Sequence, residues 1–193
     1  CDLCRHGRLQ VGYGDEFNIM GNRNIAYGLN AVNRHRLDWL NGEVGKLTID
    51  GGPETLSTIN DGSISGYKAL KLTYKGKTLY LSNVFQHEDV NQYDNSYYAE
   101  LTQSGKTSGT TINPSIQAYK SELNGVFIHM SLIDTEYDLH STKLIAAAGD
   151  LENGFLQTSH GALLPGDYKL ANDLNIHIAK VMDGQFDISV TSN

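Results

Sequence analysis

The stretch "LNIHIAKVMDGQFDISVTS", residues 174 to 192, constrains the fold more tightly than any other part of the chain. Ile176 and Ile178 alternate with polar residues before Asp183-Gly184, and Phe186, Ile188 and Val190 alternate after it. A period of two sends one set of side chains to one face of an extended backbone, and Asp-Gly suits a two-residue reversal. These residues predict a β-hairpin with one buried face that closes the sequence.

The same alternation recurs in "YKALKLTY", through Leu70, Leu72 and Tyr74, and in "GVFIHMS", through Val126, Ile128 and Met130. Further strands are expected near 46–49, 78–84, 97–102 and 142–147, separated by polar loops. Seven or more short strands with irregular turns predict a mainly β chain folded as an antiparallel β-sandwich. Composition agrees: 20 Gly and 11 Tyr against three Pro favour turns and half-buried strands over long helices or disorder. No internal repeat is visible. The Ser/Thr/Gly-rich run from Gln103 to Ser115 reads as a surface loop within the sandwich.

One segment breaks the period. "NAVNRHRLDWL" reads as a helix in which Asn30 can be the N-cap, Val32, Trp39 and Leu40 share a face at spacings of seven and eight, and Asn41-Gly42 ends it. Before it, residues 1 to 29 are irregular and rich in Gly and Asn.

Several function classes are disfavoured. A net charge of -7 without a basic cluster lacks the grouped Lys and Arg of a nucleic-acid face. No apolar run approaches the roughly 20 residues of a spanning helix, and no secretory signal is present. The chain opens on Cys1 rather than Met, which reads as processing, truncation or an incomplete start; a mature bacterial lipoprotein also begins with Cys. Cys1 and Cys4 form a CxxC that fits half of a zinc site, a redox pair or a local disulfide; without a second CxxC or a βαβ pattern, a structural disulfide or partners lost upstream fit better. Gly12, Gly14 and Gly21 do not follow a strand as a phosphate loop would, and no Gly-x-Ser-x-Gly elbow occurs.

The seven histidines, His6, His35, His87, His129, His140, His160 and His177, are the first candidates for metal ligands. No two have the helical spacing of a zincin. His129 and His177 fall on strand faces opposite the apolar ones, and are expected to face solvent or to be hydrogen-bonded. His6, beside the cysteines, is the best remaining metal candidate. In "QHEDVNQYDNS", Glu88, Asp89, Asn91 and Asp94 could supply calcium oxygens, although the order and central Gly of an EF-hand are missing and a solvated loop is the simpler reading.

"YGDEFNIMG" followed by "LNAVNRHRLDWL" resembles the segment downstream of the zinc helix in gametolysin-like secreted metallopeptidases, a metzincin-type family. There a Tyr-Gly-Asp and an Ile/Val-Met-Gly turn precede an Asn-Ala helix. "TLYLSNV", "GVFIHM", "TKLIAAAGD" and the final hairpin resemble that family's later strands in the same order, so the likeness runs through nearly all of the chain. It implies that residues 1–45 are the Met-turn and helix remnant of a catalytic lower subdomain, and that 46–193 form an appended C-terminal β-sandwich.

It also implies a packing role for Met20, in a turn that floors the zinc site without touching the ion; from periodicity alone, Met20 reads as a core gap-filler. The metal motif HExxHxxGxxH, with its histidines and general-base Glu, is absent from the sequence, and in the family it sits just upstream of the position matching Cys1. Asp38 stands where the family has Gly. The resemblance therefore implies the C-terminal part of a secreted zinc endopeptidase whose direct catalytic participants, the zinc-activated water and its Glu base, lie outside this chain. On that reading zinc is not bound here, the missing catalytic segment is the partner, and the full-length enzyme acts on proteins. The alternative is a non-catalytic extracellular sandwich that self-associates through strand edges, with its tyrosines at the contacts.

Overall fold

The computed structural model describes residues 29–59, 61–84, 125–134, 139–145 and 162–193. Among them lie one helix, α1 (Ala31–Arg36), and nine strands: β1 (Val44–Lys46), β2 (Glu54–Ser57), β3 (Ala69–Tyr74), β4 (Lys77–Ser82), β5 (Phe127–Asp134), β6 (Leu139–Ile145), β7 (Gly166–Ala171), β8 (Leu174–Met182) and β9 (Gln185–Ser192). They form two sheets, ordered β1-β3-β4-β5-β6 and β2-β9-β8-β7. The mainly β class expected from the alternation is what the chain adopts. The expected strand at 97–102 and the loop at 103–115 fall outside the described residues.

Alternation sets the facing surfaces. Leu70 and Leu72 of β3, Leu79 and Leu81 of β4 and Ile128 of β5 meet Leu174, Ile176 and Ile178 of β8 and Phe186, Ile188 and Val190 of β9 in one buried cluster. Each such side chain contributes roughly 1.5–3 kcal/mol of transfer free energy. The β8–β9 hairpin turns through Asp183 and Gly184, and Gly184 takes the positive φ, +73°, that a side chain would resist. At the β3–β4 turn both Lys75 (φ 45°) and Gly76 (φ 74°) are left-handed, the geometry whose twist matches a hairpin.

One strand pair departs from the antiparallel pattern. β1 runs parallel to β3, with Gly45 opposite Leu70. The chain leaves the first sheet after β1, supplies β2 to the second sheet, and returns as β3 beside β1. A return by crossover keeps the original direction, whereas a hairpin would reverse it. Bridges join the sheets: Leu56 to Tyr67 and Thr58 to Asn83 beside β2, and Val126 to Leu163 ahead of β7.

The first sheet is covered on both faces, and β4 accordingly reads Leu79-Tyr80-Leu81-Ser82, all buried. Its outer face packs beneath α1 in a second cluster of Ala31, Val32, Leu40, Ile59, Ala69, Tyr80, Val84 and Phe127. The sequence boundary drawn after residue 45 falls inside β1.

α1 starts as expected, with the Asn30 side chain accepting from the Asn33 amide at 3.0 Å. It ends earlier than expected, at Arg36. Trp39 donates its amide to Arg34 O at 2.9 Å, Asp38 donates to His35 O at 3.1 Å, and Asp38 has φ 59°. That is a Schellman ending with Asp in the left-handed position usually held by Gly. The reversal turns Trp39 outward, 61% exposed, while Val32 and Leu40 stay buried, so the expectation that the three share one face is corrected for Trp39.

Candidate functional site

Three polar groupings stand out among the described residues. The first is the layer between α1 and the outer face of the five-stranded sheet. His35 Nδ1 and Tyr80 Oη are 2.7 Å apart, Arg36 donates to Ser131 Oγ at 2.9 Å, and Asn30 donates to Thr142 Oγ1 at 3.0 Å. The helix is thereby fastened to β4, β5 and β6. Burial pushes the Tyr80 phenol upward, opposed in part by the Arg36 charge, so Tyr80 stays protonated beside His35. His129 sits opposite Tyr80 on β5 and is 3% exposed. Of its two expected placements, solvent-facing or hydrogen-bonded, the first is corrected, because the strand face opposite the inter-sheet core is itself covered by the helix. His177 does lie at the surface, with Nδ1 2.6 Å from Asp167 Oδ1.

Ser82, on the same face as Tyr80, is 1% exposed, and its hydroxyl has no hydrogen-bond partner among the described residues. A serine and a histidine thus share a layer, but both are sealed from any substrate. The layer fastens a helix, and of its two histidines only His35, on α1, is exposed.

The second grouping surrounds Lys68, which is 5% exposed. Its ammonium donates to Ser57 Oγ at 3.0 Å, Asp61 O at 2.5 Å and Ile64 O at 3.0 Å. All three ammonium protons are used, so Lys68 cannot serve Ser57 as a base, and Ser57 itself is fully buried. The cage pins the loop between β2 and β3, which is also held by Gln185 Nε2 donating to Ser65 O at 2.7 Å and by the Asp61 carboxylate accepting from the Ser63 amide at 2.8 Å.

The third is a groove of about 430 Å³ lined by Gly42, Glu43, Pro53, Glu54, Thr55, Gly66 and Tyr67. It lies where the approach to β1, the start of β2 and the approach to β3 converge. Backbone bonds fix its walls: Tyr67 N donates to Thr55 O at 2.9 Å, Ser57 N to Tyr67 O at 2.7 Å, and Lys68 N to Glu43 O at 2.9 Å. Tyr67 is 39% exposed and its ring lies against Gly45, where an added Cβ would come within 2.4 Å of the ring.

The residues singled out from the sequence as metal-related are not among these. Met20, His6, Cys1, Cys4, Glu88, Asp89, Asn91 and Asp94 lie outside the described residues. Among the described residues no group of three or more His, Cys, Asp or Glu side chains is placed to hold a metal ion. Sequence reading missed Lys68, Glu43, Glu54 and Tyr67. For Lys68 a signal existed: it shares strand parity with Leu70 and Leu72, which marks it as inward-pointing. The groove had none, since its residues come from three separate segments. Comparison of the chain with protein-family models, with curated proteins and with solved structures finds no match.

Proposed function

We propose that this chain is the C-terminal accessory part of a secreted zinc metalloendopeptidase and that its sandwich performs no peptide hydrolysis by itself. The observation that carries the reading is the "YGDEFNIMG…LNAVNRHRLDWL" likeness, in which the Asn-Ala helix expected after the Met-containing turn coincides with α1. Asp38 occupies the position where that family has Gly, and its left-handed backbone suits the same helix ending. Fastening α1 to three strands would give a catalytic unit preceding it a rigid attachment to the sandwich. On this reading zinc and its general base belong to upstream polypeptide, and the described residues contribute support and surface.

The test compares two proteins, the 193-residue chain and a longer chain extended upstream through an HExxHxxGxxH segment. The expected result is stoichiometric zinc and chelator-sensitive casein hydrolysis for the longer protein and neither for the shorter. Chelator-sensitive hydrolysis by the shorter chain would refute the proposal. Concentration-dependent assembly of the short chain in sedimentation, with no activity in the long one, would favour a self-associating structural module instead.

A further inference from the structure

We propose that Asn41 is a site of spontaneous deamidation, and that the isoaspartate formed there releases β1 from the edge of the five-stranded sheet. This property belongs to the turn between α1 and β1 and is independent of the peptidase reading.

Asn41 and Gly42 are the central residues of a turn closed by the Glu43 amide, which donates to Leu40 O at 2.6 Å. Their φ angles, 37° and 83°, are both left-handed, the type I′ geometry that Asn-Gly favours. Both residues are exposed. The Asn41 side chain and the Gly42 amide make no hydrogen bond among the described residues. A Cβ built on Gly42 would have no atom within 4 Å beyond its chain neighbours, so the Gly42 nitrogen is as open as a backbone amide can be. No other described asparagine combines these features. None is followed by Gly. Asn30 and Asn83 are buried and donate to Thr142 Oγ1 and Gly125 O, and Asn175 is tied to Asn193.

The chemistry needs only water. The Gly42 nitrogen gives its proton to hydroxide and attacks Cγ of Asn41; the new N–Cγ bond closes a succinimide ring while the bond from Cγ to the side-chain nitrogen breaks and ammonia leaves. Water then opens the ring. Cleavage of the N–Cγ bond leaves an aspartate, whereas cleavage of the original peptide bond leaves an isoaspartate whose main chain runs through Cβ and Cγ. Either product carries a carboxylate where a neutral amide stood.

The isoaspartate inserts one methylene group into the main chain between buried Leu40 and β1. β1 cannot absorb it by sliding along β3. Gly45 stands opposite Leu70, at a point where a Cβ would come within 2.4 Å of the Tyr67 ring and 2.7 Å of the Leu70 side chain, so a slip that brought Val44 or Lys46 there would clash. A one-residue slip would also turn every β1 side chain to the wrong face. The strand has three residues, and few hydrogen bonds oppose its release. The bonds that flank it are those from Lys68 N to Glu43 O and from Leu47 N to Lys71 O, both 2.9 Å.

The test incubates the whole chain at mildly alkaline pH and maps it with trypsin, which leaves residues 37–46 as one peptide with Asn41 as its only asparagine. The expected result is a growing fraction of that peptide about one mass unit heavier, with isoaspartate revealed by enzymatic methylation, ahead of any change at the other described asparagines. The modified chain separates by ion exchange through its added charge. In it, amide exchange at Lys68 and Leu47 should quicken about tenfold, the loss of roughly one hydrogen bond, while β8 and β9 keep the parent's rates. Asn41→Gly keeps a residue at ease in the left-handed turn and removes the carboxamide, and should show neither change. Asn41 left intact while Asn172 or Asn175 is converted, no conversion in the folded chain, or isoaspartate at 41 with Lys68 and Leu47 exchanging at the parent's rates would each overturn the proposal.

Discussion

Replacing Lys68 by Met tests how this sandwich tolerates a charge beneath its surface. Met keeps most of the side-chain volume and removes the ammonium, so the change isolates polar satisfaction from packing. Three acceptors lose their donor: Ser57 Oγ, Asp61 O and Ile64 O. An acceptor left unpaired in a buried site costs about 1–3 kcal/mol. Ser57 is fully buried but its hydroxyl keeps its own bond to the Gly66 carbonyl at 3.2 Å, and the two loop carbonyls are part-buried, so each of the three takes the lower end, about 1 kcal/mol. Relief comes from no longer desolvating an ammonium and from about 1 kcal/mol of side-chain entropy. The balance predicts that Lys68→Met destabilises by about 1–2 kcal/mol, or roughly 2–8 °C in Tm for a chain of this size. Urea unfolding measures the first figure and calorimetry the second. Hydrogen exchange should localise the loss first to residues 61–66, because the cage holds that loop and not the inter-sheet core. A loss below about 0.5 kcal/mol would show that water or relaxation re-satisfies the acceptors, and would refute the view of Lys68 as the loop's organising cation.

Three further outcomes follow from other positions. Gly45→Ala places a methyl 2.4 Å from the Tyr67 ring and 2.7 Å from Leu70, and should cost about 1–3 kcal/mol in urea unfolding, part of it recovered in the Gly45→Ala, Tyr67→Ala pair. Asp38→Gly, at a left-handed helix ending, should stabilise by about 0.5 kcal/mol in the same assay, and a loss would show that Asp38 has a stabilising role beyond its backbone. Hydrogen bonds from the Ser192 hydroxyl and then the Ser192 amide hold the Asp50 carboxyl below its ordinary range. A folded pKa lower than the unfolded one gives stability that is present above the unfolded value and lost as pH falls through the folded value. The end of β9 should therefore loosen in acid, and Asp50→Asn should flatten that part of the pH profile in exchange measurements.

Much of the fold was legible because alternation is a local property. The faces of β3, β5, β8 and β9 follow from residue parity, and the cap at Asn30 follows from one side chain reaching the Asn33 amide three residues on. β2 and β7 were not anticipated. "ETLS" offers only Leu56 as an apolar residue and becomes a strand because β9 pairs with it on one side while Tyr67 bridges it on the other. "GDYKLA" loses its alternation at the register shift between Lys169 and Ala171, which leaves Leu170 and Ala171 both buried.

What the sequence by itself determined was which side chains each strand turns to the same side and where the chain reverses, since both depend on neighbours a few residues away. Tertiary structure decided what covers those sides. The helix laid over the first sheet buries His129 and Tyr80, and the Lys68 cage and the Tyr67 groove arise from segments remote in sequence. Burial, unlike parity, depends on which distant surface arrives to exclude water.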